Sequence, residues 1–249
     1  MRLTVIGAGP AYTDRPGATG AAYLVREGDD ALLLDLGQGS FPALAGAIEP
    51  SRLLAVAISH LHADHFVDLV PLRHYLRYQF EPPRRLAVHG PAGLDERLDA
   101  LHAEPGFAAA TFDLCPLEPG SRRIGPFTLE ATRVTHTDQS FAFRVSIAGE
   151  AGLVYTGDCG RADDVAPLVR EGDVLLAEVS FGPGPVPAGV LHLDGPTVGA
   201  LAARTKPSRV LLTHLQMGFH REATVGAVEA RWSGPVELVD PGYEITIGG

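Results

Sequence analysis

The chain has 249 residues, of which 45% are hydrophobic and 20% charged, enough apolar material to bury a sizeable core without disulfide staples. Its formal net charge of −10 repels polyanions and disfavours an extended nucleic-acid footprint. Two cysteines, Cys115 and Cys159, form neither a disulfide framework nor a C-x-x-C pair, no stretch has the length of a membrane span, and the first seven residues are too short for a signal peptide, so a cytoplasmic location is expected.

The 29 glycines and 20 prolines are scattered as punctuation between short apolar runs. Residues 3–6, 21–26 and 31–36 read as strands separated by Gly- or Asp-rich breaks. A brief helix is expected at 41–48, and the apolar run 53–58 suits a buried strand. Over 64–80, Phe66, Val67, Leu69, Val70, Leu72, Leu76 and Phe80 keep a helical spacing, with Pro71 early. A strand at 86–89 and a helix at 91–102 follow, then a loop, then β-type runs at 127–135, 141–147 and 152–156. The remainder alternates: helix 165–170, strand 174–178, helix 196–205, strand 210–213, helix 224–232, strand 236–239. Each half therefore passes from β-rich to alternating β and α, with no linker and no short-period repeat. The pattern predicts one α/β domain over 1–249, with two sheets face to face and helices outside, a four-layer α/β/β/α sandwich.

The strand at 53–58 runs straight into Ser59-His60-Leu61-His62-Ala63-Asp64-His65, which places three imidazoles and one carboxylate within six residues. His60 and His62, two apart in an extended turn, point the same way. Asp64 and His65 open the next helix and face a neighbouring point. Such a cluster fits two adjacent metal sites better than one. Imidazole and carboxylate are ligands for Zn²⁺, with Mn²⁺ or Fe²⁺ as harder alternatives.

This motif resembles the signature of the metallo-β-lactamase superfamily, His-x-His-x-Asp-His after a strand. The resemblance implies an αββα sandwich holding two divalent metal ions, and it is carried by later positions in the same order. His136 follows the strand at 127–135, Asp158 follows Tyr155-Thr156-Gly157, and His214 closes the strand at 210–213. By that resemblance His60, His62 and His136 hold one metal, Asp64, His65 and His214 hold the other, and Asp158 bridges them. The implied chemistry is hydrolysis by a metal-bridging hydroxide, with Asp64 able to orient that nucleophile. Cys159, one residue beyond the bridging register, is read as turned away and packing behind the ligands.

The downstream half narrows the branch. Glu178 ends a strand, and His192 precedes the helix that leads to His214, an order that resembles the ribonuclease Z-like branch and its phosphodiesterase relatives. The resemblance implies that His192 protonates a leaving alkoxide while Glu178 orients it. The long basic, Gly-rich arm of ribonuclease Z is missing, as is the extra Cys/His zinc cluster of the phosphonate-pathway phosphodiesterases. The expectation is a phosphodiesterase acting on a small, cyclic phosphodiester, with a homodimer by analogy with the branch and no membrane partner. The alternatives are a carbon-centred hydrolase of the lactonase or β-lactamase kind and a ribonuclease Z-type endonuclease. His136-Thr137-Asp138-Gln139-Ser140 lacks the second histidine of glyoxalase-type members, and His62 stands where flavodiiron proteins carry Glu.

Gly7-Ala8-Gly9 follows a strand, but Tyr12 occupies the third position of a G-x-G-x-x-G fingerprint, so a loop near the metal mouth is expected instead. His74, His89, His102 and His220 read as surface or structural. Arg84-Arg85 and Arg122-Arg123 are short basic pairs able to meet a phosphate, and the Pro- and Gly-rich loop 181–187 is a candidate substrate-side loop.

Overall fold

The computed structural model describes residues 1–248. The N-terminal half supplies β1 (Arg2–Gly7), β2 (Ala22–Glu27), β3 (Asp30–Leu34), α1 (Phe41–Ala47), β4 (Leu53–Ala57), α2 (Ala63–Phe66), α3 (Leu69–Tyr78), β5 (Leu86–Gly90), α4 (Leu94–His102) and β6 (Phe112–Pro116). The C-terminal half supplies β7 (Gly120–Ile124), β8 (Phe127–Val134), β9 (Ser140–Ser146), β10 (Leu153–Tyr155), α5 (Ala162–Val165), β11 (Val174–Glu178), α6 (Gly195–Thr205), β12 (Arg209–Thr213), α7 (Arg221–Glu229) and β13 (Val236–Leu238). The last strand, β14 (Glu244–Thr246), returns to the first sheet, beside β1.

Two seven-stranded sheets result, in the orders β14-β1-β2-β3-β4-β5-β6 and β13-β12-β11-β10-β9-β8-β7. In each, antiparallel pairing gives way to parallel pairing: from β3 onward in the first sheet, from β10 onward in the second. The parallel strands are buried on both faces and read as unbroken apolar runs, such as Leu32-Leu33-Leu34 and Val174-Leu175-Leu176-Ala177. Alternate residues divide between cores. Leu32, Leu34, Ala55, Leu176 and Leu211 fill the space between the sheets. Leu33 and Val56 face α3 and α4 (Leu69, Leu72, Leu98), while Leu175 and Leu212 face α6 and α7 (Val198, Leu201, Val228). The expected four layers are present.

The strands missing from the sequence reading are β6, β7 and β14, and all three lie on sheet edges. Edge strands need only one protected side and carry polar residues that discourage further pairing, so their hydrophobic alternation fades. Arg122 and Arg123 in β7 and Glu244 in β14 are such residues. The helix expected over 64–80 is two helices. Pro71 has no N–H, and its ring excludes a helical carbonyl at Val67 four residues back, so α2 ends and α3 begins afresh. The helix expected at 165–170 lies earlier: α5 ends at Val165 and a 3₁₀ turn, Ala166–Leu168, carries Pro167.

The parallel β3, β4, β10, β11 and β12 all end at the same rim, the end at which ligands gather in such sheets. Two glycines let the chain close there. A Cβ on Gly37 would lie 1.8 Å from the carbonyl oxygen of Asp64, so only glycine lets α2 dock on this turn. Gly157, at φ +55, turns the chain out of β10 immediately before Asp158.

Candidate metal centre

The segment after β4 is pinned from several sides. The amide of Phe141 in β9 donates to the Ser59 carbonyl (3.0 Å), which ties the loop to the second sheet. Ser59 donates its amide (2.6 Å) and hydroxyl (2.7 Å) to the two oxygens of Asp35. The Asp64 and His65 carbonyls accept from Ala21 and Leu36 (2.9 and 2.8 Å). The backbone thus fixes where the side chains of His60, His62, Asp64 and His65 point.

Three groups of candidate ligating atoms form among the described residues. His60, His62, His136 and Asp158 converge in one and Asp64, His65 and His214 in another, each drawing on both halves of the chain, while Asp158, Glu178 and His192 form a third beside them. Asp158 also reaches the second. Its Oδ2 lies 3.8 Å from His60 Nε2 and 3.7 Å from His136 Nε2, while Oδ1 lies 3.3 Å from His65 Nε2 and 3.5 Å from His214 Nε2. Asp64 Oδ2 sits 3.1 Å from His214 Nε2 and 3.6 Å from His65 Nε2. All seven residues singled out in the sequence are therefore assembled in one place. His60, Asp64, His65, Asp158 and His214 are buried, while His62 stands exposed at the mouth.

The far nitrogens of the rings show which atoms are free. His65 Nδ1 donates to Asp35 (2.8 Å), His136 Nδ1 to the Leu191 carbonyl (2.7 Å), and His214 Nδ1 to Ser180 Oγ (3.0 Å). The Nε2 atoms are then the ones that face inward, and His65 Nε2 and His214 Nε2 lie 3.3 Å apart. Buried His60 Nε2 and Asp158 Oδ1 have no hydrogen-bond partner at all. An unmatched buried polar atom costs about 1–3 kcal/mol, so a convergence of several fits a cation between them.

The protonation preferences agree. Burial opposes charge on His65, but the carboxylates of Asp158 and Asp35 outweigh it and hold its pKa well above the imidazole range. The same balance, with Asp158 and Asp64 as the acidic partners, raises His214. On the other side, burial and the neighbouring His65 push His60 well below the range. Asp158 stays ionised despite burial because His214 and His65 surround it. The pocket is a place for positive charge.

Asp35 was not singled out in the sequence. It lies one residue past β3 in a left-handed conformation (φ 59) and accepts from Ser59, His65 and, at 2.7 Å, the Tyr155 hydroxyl. In Leu33-Leu34-Asp35-Leu36-Gly37 the signal was a lone carboxylate ending an apolar run, the same signal that Asp158 gives.

Glu178 and His192 meet beside this cluster. His192 Nδ1 lies 2.9 Å from Glu178 Oε1, and its ring centre is 4.7 Å from that of His136. Glu178 is buried and also accepts from the Cys159 amide (2.9 Å) and from the amide and hydroxyl of Ser180. Burial works against charge on His192, but the hydrogen bond and charge of Glu178 prevail and raise its pKa. Phe181, the first residue of the Pro- and Gly-rich loop, sets its ring centre 6.1 Å from that of His192.

The residues set aside fall elsewhere. The Cys159 thiol points to the Arg161 carbonyl and packs in the outer core, and burial pushes its pKa up to about 12. The Ala8 carbonyl of the Gly7-Ala8-Gly9 turn accepts from the His214 amide (3.0 Å), so this loop does lie at the site. His102 of α4 stacks on Phe107, His74 of α3 packs edgewise against His102 and tilted against Phe107, and His220 precedes α7. Arg85 pairs with Asp113, and Arg122 donates to the Glu118 carbonyl and approaches half-buried His89, so neither basic pair reaches the cluster.

A beta-lactamase superfamily domain model matches residues 32–215, most of the chain and every residue of the cluster. The chain belongs to the metallo-β-lactamase superfamily. Among relatives of this metallo-β-lactamase protein, the uncharacterized protein Rv1339 of Mycobacterium tuberculosis is 32% identical, covering 100% of this chain and 94% of the relative. The probable metallo-hydrolase YhfI of Bacillus subtilis is 27% identical over 98% of both chains, and its crystal structure superposes with a TM-score of 0.87. Ribonuclease Z of Mycobacterium bovis is 30% identical over 72% of this chain and 70% of its own. Membership and geometry together mark a metal-dependent hydrolase that binds divalent ions. No helix among the described residues is long and apolar enough to cross a membrane.

Proposed function

We propose that the protein is a phosphodiesterase acting on a small, cyclic phosphodiester. His60, His62 and His136 would hold one divalent ion, Asp64, His65 and His214 the other, and Asp158 both; Zn²⁺ suits this nitrogen-rich set. Such an ion pair polarises a phosphoryl oxygen and lowers the pKa of water toward neutrality. The residues of the chain supply the rest. Asp64, next to the shared position, accepts and orients the proton of the attacking water. His192 keeps its Nδ1–H on Glu178 and so presents Nε2 to the departing oxygen. A proton held there goes to the alkoxide as the P–O bond breaks.

The observation that carries this reading is the Glu178–His192 pair, 2.9 Å apart beside the ligand cluster. A sugar alkoxide is a poor leaving group and needs a proton donor of raised pKa at that point. The net charge of −10 and the short 179–194 connection between β11 and α6 leave no basic arm for a large RNA. The likeness to ribonuclease Z favours a second reading, in which the diester lies in RNA and the same residues act on it.

The test is turnover of metal-loaded protein on cyclic nucleotides, bis(p-nitrophenyl) phosphate, nitrocefin, a homoserine lactone and a precursor RNA. Hydrolysis of a cyclic nucleotide is expected. His192→Ala should lower that rate roughly 10²–10⁴-fold without releasing metal. It should cost much less on bis(p-nitrophenyl) phosphate, whose phenolate departs unprotonated. Turnover confined to nitrocefin or the lactone overturns the proposal, and turnover confined to RNA selects the second reading.

A further inference from the structure

Ser180 has no part in the reaction as written, yet it lies between the acid pair and the ligand cluster. Its hydroxyl oxygen is 3.0 Å from His214 Nδ1, and the same hydroxyl contacts Glu178 Oε2. The direction of each bond follows from what the partners can do. Glu178 is an acceptor-only carboxylate, so the one hydroxyl proton of Ser180 goes to Oε2, and toward His214 the Ser180 oxygen can only accept, from a proton on Nδ1. That leaves Nε2 to face Asp64, His65 and Asp158. His192 Nδ1, 3.2 Å from the same hydroxyl, already has the shorter 2.9 Å bond to Glu178 Oε1.

Glu178 therefore touches three functional groups. Oε1 accepts from His192 and from the Cys159 amide, the residue after Asp158, while Oε2 reaches His214 through Ser180. The strand register explains why one side chain can do this. Glu178 pairs with Thr213 across β11 and β12, so the residues beyond each strand end, Ser180 and His214, emerge side by side. Ser180 is fully buried and His214 nearly so, and water does not substitute for a lost hydroxyl as readily there as at a surface.

We infer that Ser180 is a positioning residue for the metal held by Asp64, His65 and His214. Its hydroxyl fixes the tautomer and ring orientation of His214 and ties that ligand to the carboxylate that also orients His192. A serine two residues after a strand-end glutamate is thus part of the metal centre, with no bond to metal or substrate. The inference rests on His214 being a ligand but not on the choice of substrate.

The test is metal binding without substrate: competition of Zn²⁺ against a chromophoric chelator for wild type, Ser180→Ala and Ser180→Thr, with folding checked by circular dichroism. Removal of such a supporting partner costs roughly 10–100-fold in metal affinity. Ser180→Ala should weaken one of two binding events by at least about tenfold, whereas Ser180→Thr, which keeps the hydroxyl, should stay within about threefold of wild type. In Co²⁺-substituted protein the alanine variant should also change the absorption of one site only. Unchanged affinities in Ser180→Ala overturn the inference, as does an equal loss in the threonine variant. If Ser180→Ala does not fold, Ser180→Cys replaces it under the same criteria. Loss of phosphodiester turnover alone, with metal binding intact, would bear on the substrate reading and count against this one.

Discussion

At the N-terminal ends of β10 and β11, buried Arg144 and Asp173 face each other. At the C-terminal ends of the same strands, buried Asp158 and Glu178 face a ring of histidines. The first group is complete within itself. Asp173 accepts from Arg144 Nε (2.7 Å) and a terminal guanidinium nitrogen (2.9 Å), and from the amides of Gly152 (2.6 Å) and Arg170 (3.0 Å). The other terminal nitrogen of Arg144 donates to Glu130 and Ser146. The second group is incomplete: Asp158 Oδ1 and His60 Nε2 have no hydrogen-bond partner, and two imidazole nitrogens confront each other. Burial of charge by itself does not separate a structural cluster from a functional one. The convergence of unfilled valences on one point does.

The contrast can be broken by removing the carboxylate from each end. Asp158→Asn keeps the shape and loses the charge shared by both ligand groups. Metal content should fall in both sites, and turnover should drop below about one part in a thousand, a loss of roughly 4 kcal/mol or more of transition-state stabilisation. Asp173→Ala should leave the metal stoichiometry and the turnover of folded protein unchanged but cost about 3 kcal/mol of stability, because buried Arg144 keeps only Glu130 as an acidic partner and the amides of Gly152 and Arg170 lose their acceptor. Denaturant unfolding at pH 7 measures it.

A pH series sharpens the same point. Burial opposes ionisation of Asp173, but its hydrogen bonds from Arg144, Gly152 and Arg170 prevail and hold its pKa below the ordinary 3.8. A depressed pKa contributes stability in full above the unfolded value and loses it as pH falls through the folded one. The stability gap between wild type and Asp173→Asn should therefore be widest above about pH 5 and close as the solution is acidified below about pH 4. A gap that stays constant to pH 3 would show that the charge is not what the site uses. The smallest effect is expected at Asp35. Asp35→Asn keeps an acceptor for His65 but weakens it, and metal affinity should fall roughly 10–100-fold with the fold retained.

The contiguous part of the centre was legible because local geometry alone made it improbable as anything else. His60, His62, Asp64 and His65 occupy one turn, so the spacing itself carries the chemistry. His136, Asp158 and His214 come from separate strand ends and His192 from the connection before α6, and only their order along the chain, set against a known family, drew them in. Asp35 and Ser180 escaped because each follows an ordinary strand and has no metal-ligand spacing to betray it. Their roles depend on strand register, which places Leu34 beside Ala57 and Glu178 beside Thr213, and register is not visible in composition. The same division holds for the fold. Doubly buried strands such as β3 and β11 announce themselves by unbroken apolar runs, whereas edge strands β6, β7 and β14 carry too little hydrophobic pattern to be seen.

Asp35 and His214 share one further property: both are non-glycine residues held at positive φ, 59° and 60°. A left-handed backbone costs an L-residue roughly 1–2 kcal/mol, and glycine would adopt it without that penalty. Glycine would relieve that strain, but Asp35→Gly orphans the buried donors of Ser59, His65 and Tyr155, at about 1–3 kcal/mol each, more than the relief. The strained backbone at Asp35 is thus held by the same bonds that orient His65, whereas at His214 the side chain on the strained backbone is itself the proposed ligand, so a laboratory lineage evolved for heat tolerance alone has reason to lose His214 before Asp35.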